Sequence, residues 1–349
     1  MASYRQQLLV ELSDIICEYR KDDRSIETRS PEIVDAWVQQ FPNDVQEPLL
    51  QALVYVFTRT FITKDNFISF LTALANNKEL SRDIEPSDYW KSVNFLDIQL
   101  GGASQEEILE LFNDVLLKTH GYGCNTIEEA GKDYIYLDDC VGTGKRIKTD
   151  LCSWLENSAP VKSHVNVITA ILHSGSYWVE KFIQRTAQRN GKSIRITPWR
   201  AVGLENRVFK KDQSDVLWPT MIPPSTVVQN YVKQIENTLQ ANKKRNLAWR
   251  NVGHVGGKKI FESDSQKVFL ENVLLERGCQ IRQEQSNLCE NARPLGFHNL
   301  DCLGFGSMFI TYRNCPNNCP LAFWVEQDEY PALLPRKTNT HTEVQKIFR

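Results

Sequence analysis

The sequence predicts an α/β fold, a mostly parallel sheet with flanking helices, preceded by a small helical domain. Three observations carry this expectation. From about residue 93 to 197, short β-prone runs alternate with segments whose apolar residues repeat at helical spacing, which is the pattern of βα units around a parallel sheet. The first 80 residues hold helix-period segments and no strand pattern. The run Tyr134-Ile-Tyr-Leu-Asp138-Asp139-Cys-Val-Gly142-Thr143-Gly144-Lys145-Arg146 ends a buried-type strand in two carboxylates and a Gly/Thr turn. That places polar groups at the carboxyl end of a strand, where open α/β sheets bind ligands.

In the N-terminal region, Leu8, Leu9, Leu12, Ile15, Ile16 and Tyr19 mark a first helix, and a charged break follows over Lys21–Arg29. Ser30-Pro31-Glu32 supplies a cap, a proline at the first helical position and an acidic first turn. Trp37 and Phe41 close that helix, Leu49 to Phe57 form a third, and Thr63 opens a fourth with Phe67, Phe70, Leu71 and Leu74 on one face. A helix-turn-helix or winged-helix bundle is one reading of these four. No Arg/Asn/Gln-rich recognition helix is visible, so a packing or docking role leads. Residues 81–91 read as a linker.

The next strand, Val93 to Ile98, runs into Gly101-Gly102-Ala103-Ser104 and a helix with Ile108, Leu109, Phe112, Val115 and Leu116 buried. The glycines permit close backbone approach, and Ser104 can cap the helix or donate to an anion. After the acidic motif, Ile147, Leu151, Trp154 and Leu155 mark a helix, Val165–Leu172 a buried strand ending at His173, Trp178–Asn190 a helix, and Ser193–Thr197 a strand. Ser225 caps a helix to about Leu239, and Ser263-Asp264 opens another that Gly278 stops. Lys243, Lys244, Arg245 and Arg250 with Trp249 form a basic aromatic cluster, read first as a solvated face and second as a phosphate-backbone contact.

The C-terminal block has Gly304-Phe-Gly306-Ser307, a strand over Met308–Thr311, the polar loop Tyr312-Arg313-Asn314-Cys315-Pro316-Asn317-Asn318-Cys319-Pro320, and strand-like Leu321–Trp324. Arg313 can grip a phosphate, and Asn314, Asn317 and Asn318 can bond a base edge. The alternative is a turn using Pro and Asn for backbone reasons. A zinc set of Cys302, Cys315 and Cys319 with Cys289 or His298 is a third reading, weakened because no second close pair exists. His173, at a strand tip, is either structural or orients a base or pyrophosphate.

With 349 residues there is room for two domains. The expected division is a helical domain over 1–85, an α/β domain over 86–335 with an inserted helical region at about 200–290, and a tail at 336–349. A formal net charge of −2 argues against a globally basic nucleic-acid binder. Nine cysteines, odd in number and scattered, suggest a reducing compartment without a disulfide framework. No apolar run reaches the length of a membrane span and the first residues carry no signal-like core, so a cytoplasmic protein without a membrane partner is expected.

The central motif is not a Walker A loop. Its first glycine would fall on Asp139, and Arg146 stands where Ser or Thr is required. The backbone N–H groups of the turn can wrap a phosphate at the helix N-terminus. The two carboxylates sit where sugar hydroxyls or a magnesium ion would lie, and the whole reads as a sugar-phosphate site.

Four apolar or aromatic residues, two acids and a Thr/Gly loop resemble the phosphoribosyl-pyrophosphate signature of type I phosphoribosyltransferases. The layout of residues 90–325, with the terminal block, resembles the phosphoribosyltransferase-like proteins of bacterial conflict systems, some of them retron-associated antiphage effectors. The resemblance implies an enzyme acting at ribose C1 on phosphoribosyl pyrophosphate or a related nucleotide with Mg²⁺. Asp138 and Asp139 would contact the ribose hydroxyls and, directly or through water, the metal. Gly142, Thr143, Gly144, Lys145 and Arg146 would hold the 5′-phosphate. Gly101, Gly102, Ala103 and Ser104 would receive pyrophosphate, and His173, Arg313, Asn314, Asn317 and Asn318 would face the acceptor. Lys145 and Arg146 depart from the small and hydroxyl residues usual there. The stretch Gly121–Lys132 leaves room for only a short hood. The alternative is a non-catalytic nucleotide-sensing regulator. In either case the partners would be a nucleotide and a protein or nucleic acid of a defence complex, for example a retron reverse transcriptase with its RNA–DNA.

Overall fold

A computed structural model describes residues 3–99, 104–124, 133–285, 288–298 and 302–336. In chain order the elements are α1 (Tyr4–Ile16), α2 (Pro31–Val38), α3 (Asn43–Thr60), β1 (Phe61–Ile62), α4 (Lys64–Ala75), α5 (Pro86–Lys91) and β2 (Asn94–Phe95). Then come α6 (Ser104–His120), β3 (Asp133–Val141), α7 (Lys145–Asn157), β4 (Lys162–His173), α8 (Trp178–Arg189) and β5 (Ser193–Leu204). The rest are α9 (Thr226–Ala241), α10 (Asp264–Glu284), β6 (Ala292–Arg293), β7 (Gly296–Phe297), β8 (Ile310–Thr311) and α11 (Leu321–Trp324).

The chain divides into two compact units, one of Met1–Thr63 with Glu205–Arg349 and one of Lys64–Leu204. This differs from the boundaries expected near residues 85 and 335. The fourth helix, α4, packs on α6 and belongs with the sheet, a tertiary pairing that periodicity along one segment does not reveal.

In the unit Lys64–Leu204 the sheet order is β2-β3-β4-β5 and every pair is parallel. Successive side chains of a strand point to opposite faces, and helices cover both. Phe95 meets Phe112 of α6 and Trp90 of α5, with ring centroids 6.0 and 6.1 Å apart. On the other face Leu96, Tyr134, Tyr136, Val165 and Val167 share a core with Ile147 and Leu151 of α7 and Val179 and Ile183 of α8. The segment expected to be a linker instead contains α5, whose Tyr89 and Trp90 are buried. At the amino end of β3, Asp133 accepts from Tyr89 Oη at 3.2 Å and pairs with Arg82 and His164. Burial pushes the Asp133 carboxyl up, but those two partners outweigh it and hold it below its ordinary value.

In the other unit, the N-terminal helices are closed by the C-terminal segment. Trp37 Nε1 donates to the Ala322 carbonyl at 2.7 Å, and Tyr19 Oη to that of Pro335 at 2.9 Å. β1 pairs in parallel with β8. Leu321–Trp324, expected as a strand, forms the single turn α11 after Pro320. Helix α10 starts on Ser263, whose hydroxyl accepts the Gln266 N–H at 3.1 Å, and does not stop at Gly278. A Cβ there would lie 2.5 Å from the Pro294 carbonyl oxygen, so this glycine serves a close backbone approach inside the helix.

The basic aromatic cluster separates by burial. Lys243, Lys244 and Arg245 are exposed, whereas Arg250 is buried and pairs with Glu271 at 3.0 Å and Asp264 at 2.7 Å. Lys267, also buried, donates to the Ser214 carbonyl at 2.7 Å. Burial pushes the Glu271 carboxyl up, against the pull of Arg250 and Lys267.

Candidate functional site

The site builds from β3 upward. Tyr134 to Leu137 are buried inside a four-stranded sheet, and Asp138 and Asp139 follow in the carboxyl-terminal half of β3, which stays paired with β4 as far as Val141. Each acid is 5% exposed. The Asp139 N–H donates to Asp138 Oδ1 at 2.9 Å. Burial, the neighbouring Asp139 charge and a side-chain hydrogen bond to Asp139 push the Asp138 carboxyl well above the usual carboxylate range, with Arg146 opposing. Two carboxylates in one dry site cannot both ionise cheaply, which is the physical cause of that upward shift.

The turn after β3 is preorganised. Thr143 Oγ1 accepts the Lys145 N–H at 3.4 Å. Gly144 is the N-cap of α7 at φ +78°, and a Cβ on it would lie 2.4 Å from Val179 Cγ2 and 3.1 Å from Ser176 Cβ. Only glycine combines that left-handed backbone with so close a neighbour. The first turn of α7 contains no acid and presents Lys145 and Arg146, both exposed. A helix N-terminus favours negative charge, so these two cations do not serve the helix dipole. Tyr136 Oη donates to Asp150 Oδ2 at 2.8 Å. This bond ties α7 to the strand one turn below the acids.

Sequence reasoning missed Gln105. Its Oε1 accepts the N–H groups of Ile98 and Gln99 at 2.8 and 2.9 Å, while its own N–H donates to Gln99 Oε1 at 3.2 Å. Its Nε2 reaches the Leu137 carbonyl at 3.4 Å. Both ends of the glycine loop are thereby clamped beside the acid pair. The pair Gln99…Gln105 flanking the loop is the signal that was available, a reciprocal exchange like that of a capping box. Gly101, Gly102 and Ala103 lie outside the described residues, as do Asn125 and Glu128–Lys132 of the hood segment. Ser104 begins α6.

His173 ends β4 fully buried, with Nδ1 3.3 Å from the Val141 carbonyl. Burial holds its imidazole down at about 4, the Val141 bond opposing. A group depressed in the fold contributes stability that is present above its unfolded value and lost as pH falls through the folded one. His173→Gln is therefore expected to flatten the loss of stability between about pH 6.5 and 4, by on the order of 3 kcal/mol. Urea midpoints across that range, compared with the parent protein, test this.

The remaining expected residues belong to the other unit and are engaged with backbone there. Asn318 Nδ2 donates to the Phe297 carbonyl at 2.9 Å, Asn314 N–H to Thr311 Oγ1 at 3.1 Å, and the Asn317 carbonyl accepts the Phe297 N–H at 2.7 Å. Arg313 lies in the same loop, half-buried. Within that unit the Pro/Asn block forms a turn. The thiols of Cys302, Cys315 and Cys319 face backbone oxygens at 3.2, 3.8 and 3.5 Å. Among the described residues no group of three or more His, Cys, Asp or Glu side chains could hold a metal.

A buried acid pair in β3, a left-handed glycine cap and the cationic first turn of α7 thus follow one another over residues 138–146. The PRTase-CE family model matches residues 34–336. This chain belongs to the PRTase-CE family. It is therefore phosphoribosyltransferase-like, and the match extends over both units of the PRTase-CE chain. None of the curated proteins matches it. No helix among the described residues is long and apolar enough to cross a membrane.

Proposed function

We propose that this PRTase-CE protein binds phosphoribosyl pyrophosphate or a related nucleotide with Mg²⁺ and catalyses glycosyl transfer, or hydrolysis, at ribose C1. The observation that supports this most is Asp138–Asp139 followed within seven residues by the Gly144 cap and the Lys145–Arg146 turn. Asp138 and Asp139 offer hard carboxylate oxygens, the donor type Mg²⁺ takes, one or two at a time, alongside substrate phosphates. Bound Mg²⁺ would neutralise charge developing on the departing pyrophosphate. Asp138 and Asp139 hold the ribose hydroxyls and stabilise positive charge at C1 as its bond to the pyrophosphate oxygen breaks. The N–H groups of Gly144 to Arg146 and the two side-chain cations hold the 5′-phosphate. The acceptor, or water in hydrolysis, forms the new bond at C1 and gives up its proton to the departing pyrophosphate.

In a cell such turnover would modify or deplete nucleotides, which suits a cytoplasmic effector of antiphage defence held silent by a protein or nucleic-acid partner, for instance a retron reverse transcriptase with its RNA–DNA. A second reading, a nucleotide-sensing regulator, is favoured by the burial of Asp138 beside Asp139, because ligand entry there would change local charge and packing without chemistry. Incubation with phosphoribosyl pyrophosphate, Mg²⁺ and a nucleotide pool, with products followed by mass spectrometry, separates the two. Time-dependent release of pyrophosphate, absent in Asp139→Asn, is the expected result. Binding without product would select the sensor, and neither would reject both.

A further inference from the structure

The outward face of α7 and α8 has a chemistry that the sugar-phosphate reading does not use. Tyr177, Trp178 and Phe182 are 44%, 49% and 40% exposed. Trp178 and Phe182 lie one helical turn apart with ring centroids at 6.2 Å, edge to face. Lys148 of α7 reaches across to place Nζ 4.5 Å from the Phe182 ring centre. Lys181, Arg185 and Arg189 are exposed on the same helix. From Trp178 to Arg189 the stripe runs about 16 Å at the helical rise of 1.5 Å per residue.

This is not the apolar face that α8 needs for folding. Val179, Ile183 and Ala187 already supply that and are buried. The exposed rings lie outside that buried face, and contiguous exposed apolar surface marks interaction sites. The acids on this face are Glu180, which accepts from Gln184 Nε2 at 3.2 Å, and Glu156 near the end of α7. Lys148, Lys181, Arg185 and Arg189 outnumber them, so the complement is an anion. The exposed apolar groups of the stripe are aromatic rings, with no Leu, Ile, Val or Met among them. Rings interleaved with cations fit stacking on flat bases strung along a phosphate backbone, whereas insertion into a lipid surface draws on aliphatic side chains as well.

We infer that the α7–α8 face binds single-stranded nucleic acid, bases stacking on Tyr177, Trp178 and Phe182 and phosphates held by Lys148, Lys181 and Arg185. The inference is independent of catalysis at C1, because it rests on residues that take no part in the acid-pair site.

The test is fluorescence anisotropy of a labelled oligothymidylate of about 12 nucleotides, a length within single-strand site sizes, against the full-length protein. Duplex DNA, heparin and phosphatidylserine vesicles are run in parallel. Expected are saturable binding that weakens with salt, quenching of tryptophan emission, and a loss of at least about 10-fold in Trp178→Ala with Phe182→Ala, since each stacked base contributes roughly 1–3 kcal/mol. Trp178→Tyr should retain most of the affinity, and Asp138→Asn all of it. Circular dichroism confirms that the variants stay folded. No binding at low salt, full affinity in the double alanine variant, or preference for heparin or vesicles over the oligonucleotide would each overturn the assignment.

Discussion

Asp138→Asn is expected to make the PRTase-CE protein more stable and at the same time to cost it its ligand. The parent carboxyl is buried, sits against Asp139 and is held well above its ordinary range. A group raised in the fold contributes stability that is present below its unfolded value and lost as pH rises through the folded one. At neutral pH the fold therefore bears the cost of an acid it would rather keep protonated. Asparagine removes that cost and keeps an oxygen to accept the Asp139 N–H. The expected gain is on the order of 1–3 kcal/mol, growing as pH rises, in the range that substitutions at strained polar sites produce. Affinity for a Mg²⁺-bound ribose phosphate should fall at least about 100-fold, because a charge-assisted contact to the metal and a hydroxyl is lost together. Thermal melts at pH 6 and 8, alongside equilibrium binding, check both halves. A variant that loses stability as well as binding would mean that Asp138 is an ordinary structural acid.

The largest loss of stability is expected from Glu271→Gln. Glu271 is fully buried, accepts the Trp218 N–H at 2.9 Å and faces Arg250, with Lys267 one helical turn away on α10. Removing its charge leaves two buried cations with Asp264 and backbone carbonyls as their partners. Breaking a buried ion pair on one side costs about 3–5 kcal/mol, far more than the pair itself contributes. Replacing both Arg250 and Glu271 by methionine should cost less than the sum of the single changes, because neither member of that ion pair is then left facing a missing partner. Urea denaturation of the two single variants and the double variant measures this. Additive losses would show that the cluster acts as separate contacts.

The acid pair and its turn were legible because their meaning is local. A β-prone run, two acids and a Gly/Thr turn specify a strand end and a helix start whatever surrounds them, and β3, Gly144 and α7 stand where that pattern puts them. The parallel sheet was legible for the same reason, from alternating periodicities. What failed depends on partners distant in sequence. Gly278 reads as a stop signal until Pro294 is found 2.5 Å from its missing Cβ. Arg250 reads as part of a basic surface until Glu271 closes on it. Leu321–Trp324 is too short for its period to distinguish a strand from one helical turn. Gln105 was overlooked because its role lies in backbone bonds at the loop base.

Titration calorimetry of Mg²⁺ with phosphoribosyl pyrophosphate, run in two buffers of different ionisation heat, probes the strand-end acids themselves. Saturable, metal-dependent association that expels close to one proton per site, and vanishes in folded Asp138→Asn, is the predicted outcome. Heat-silent mixing with the intact protein, or unaltered affinity after that substitution, would contradict it.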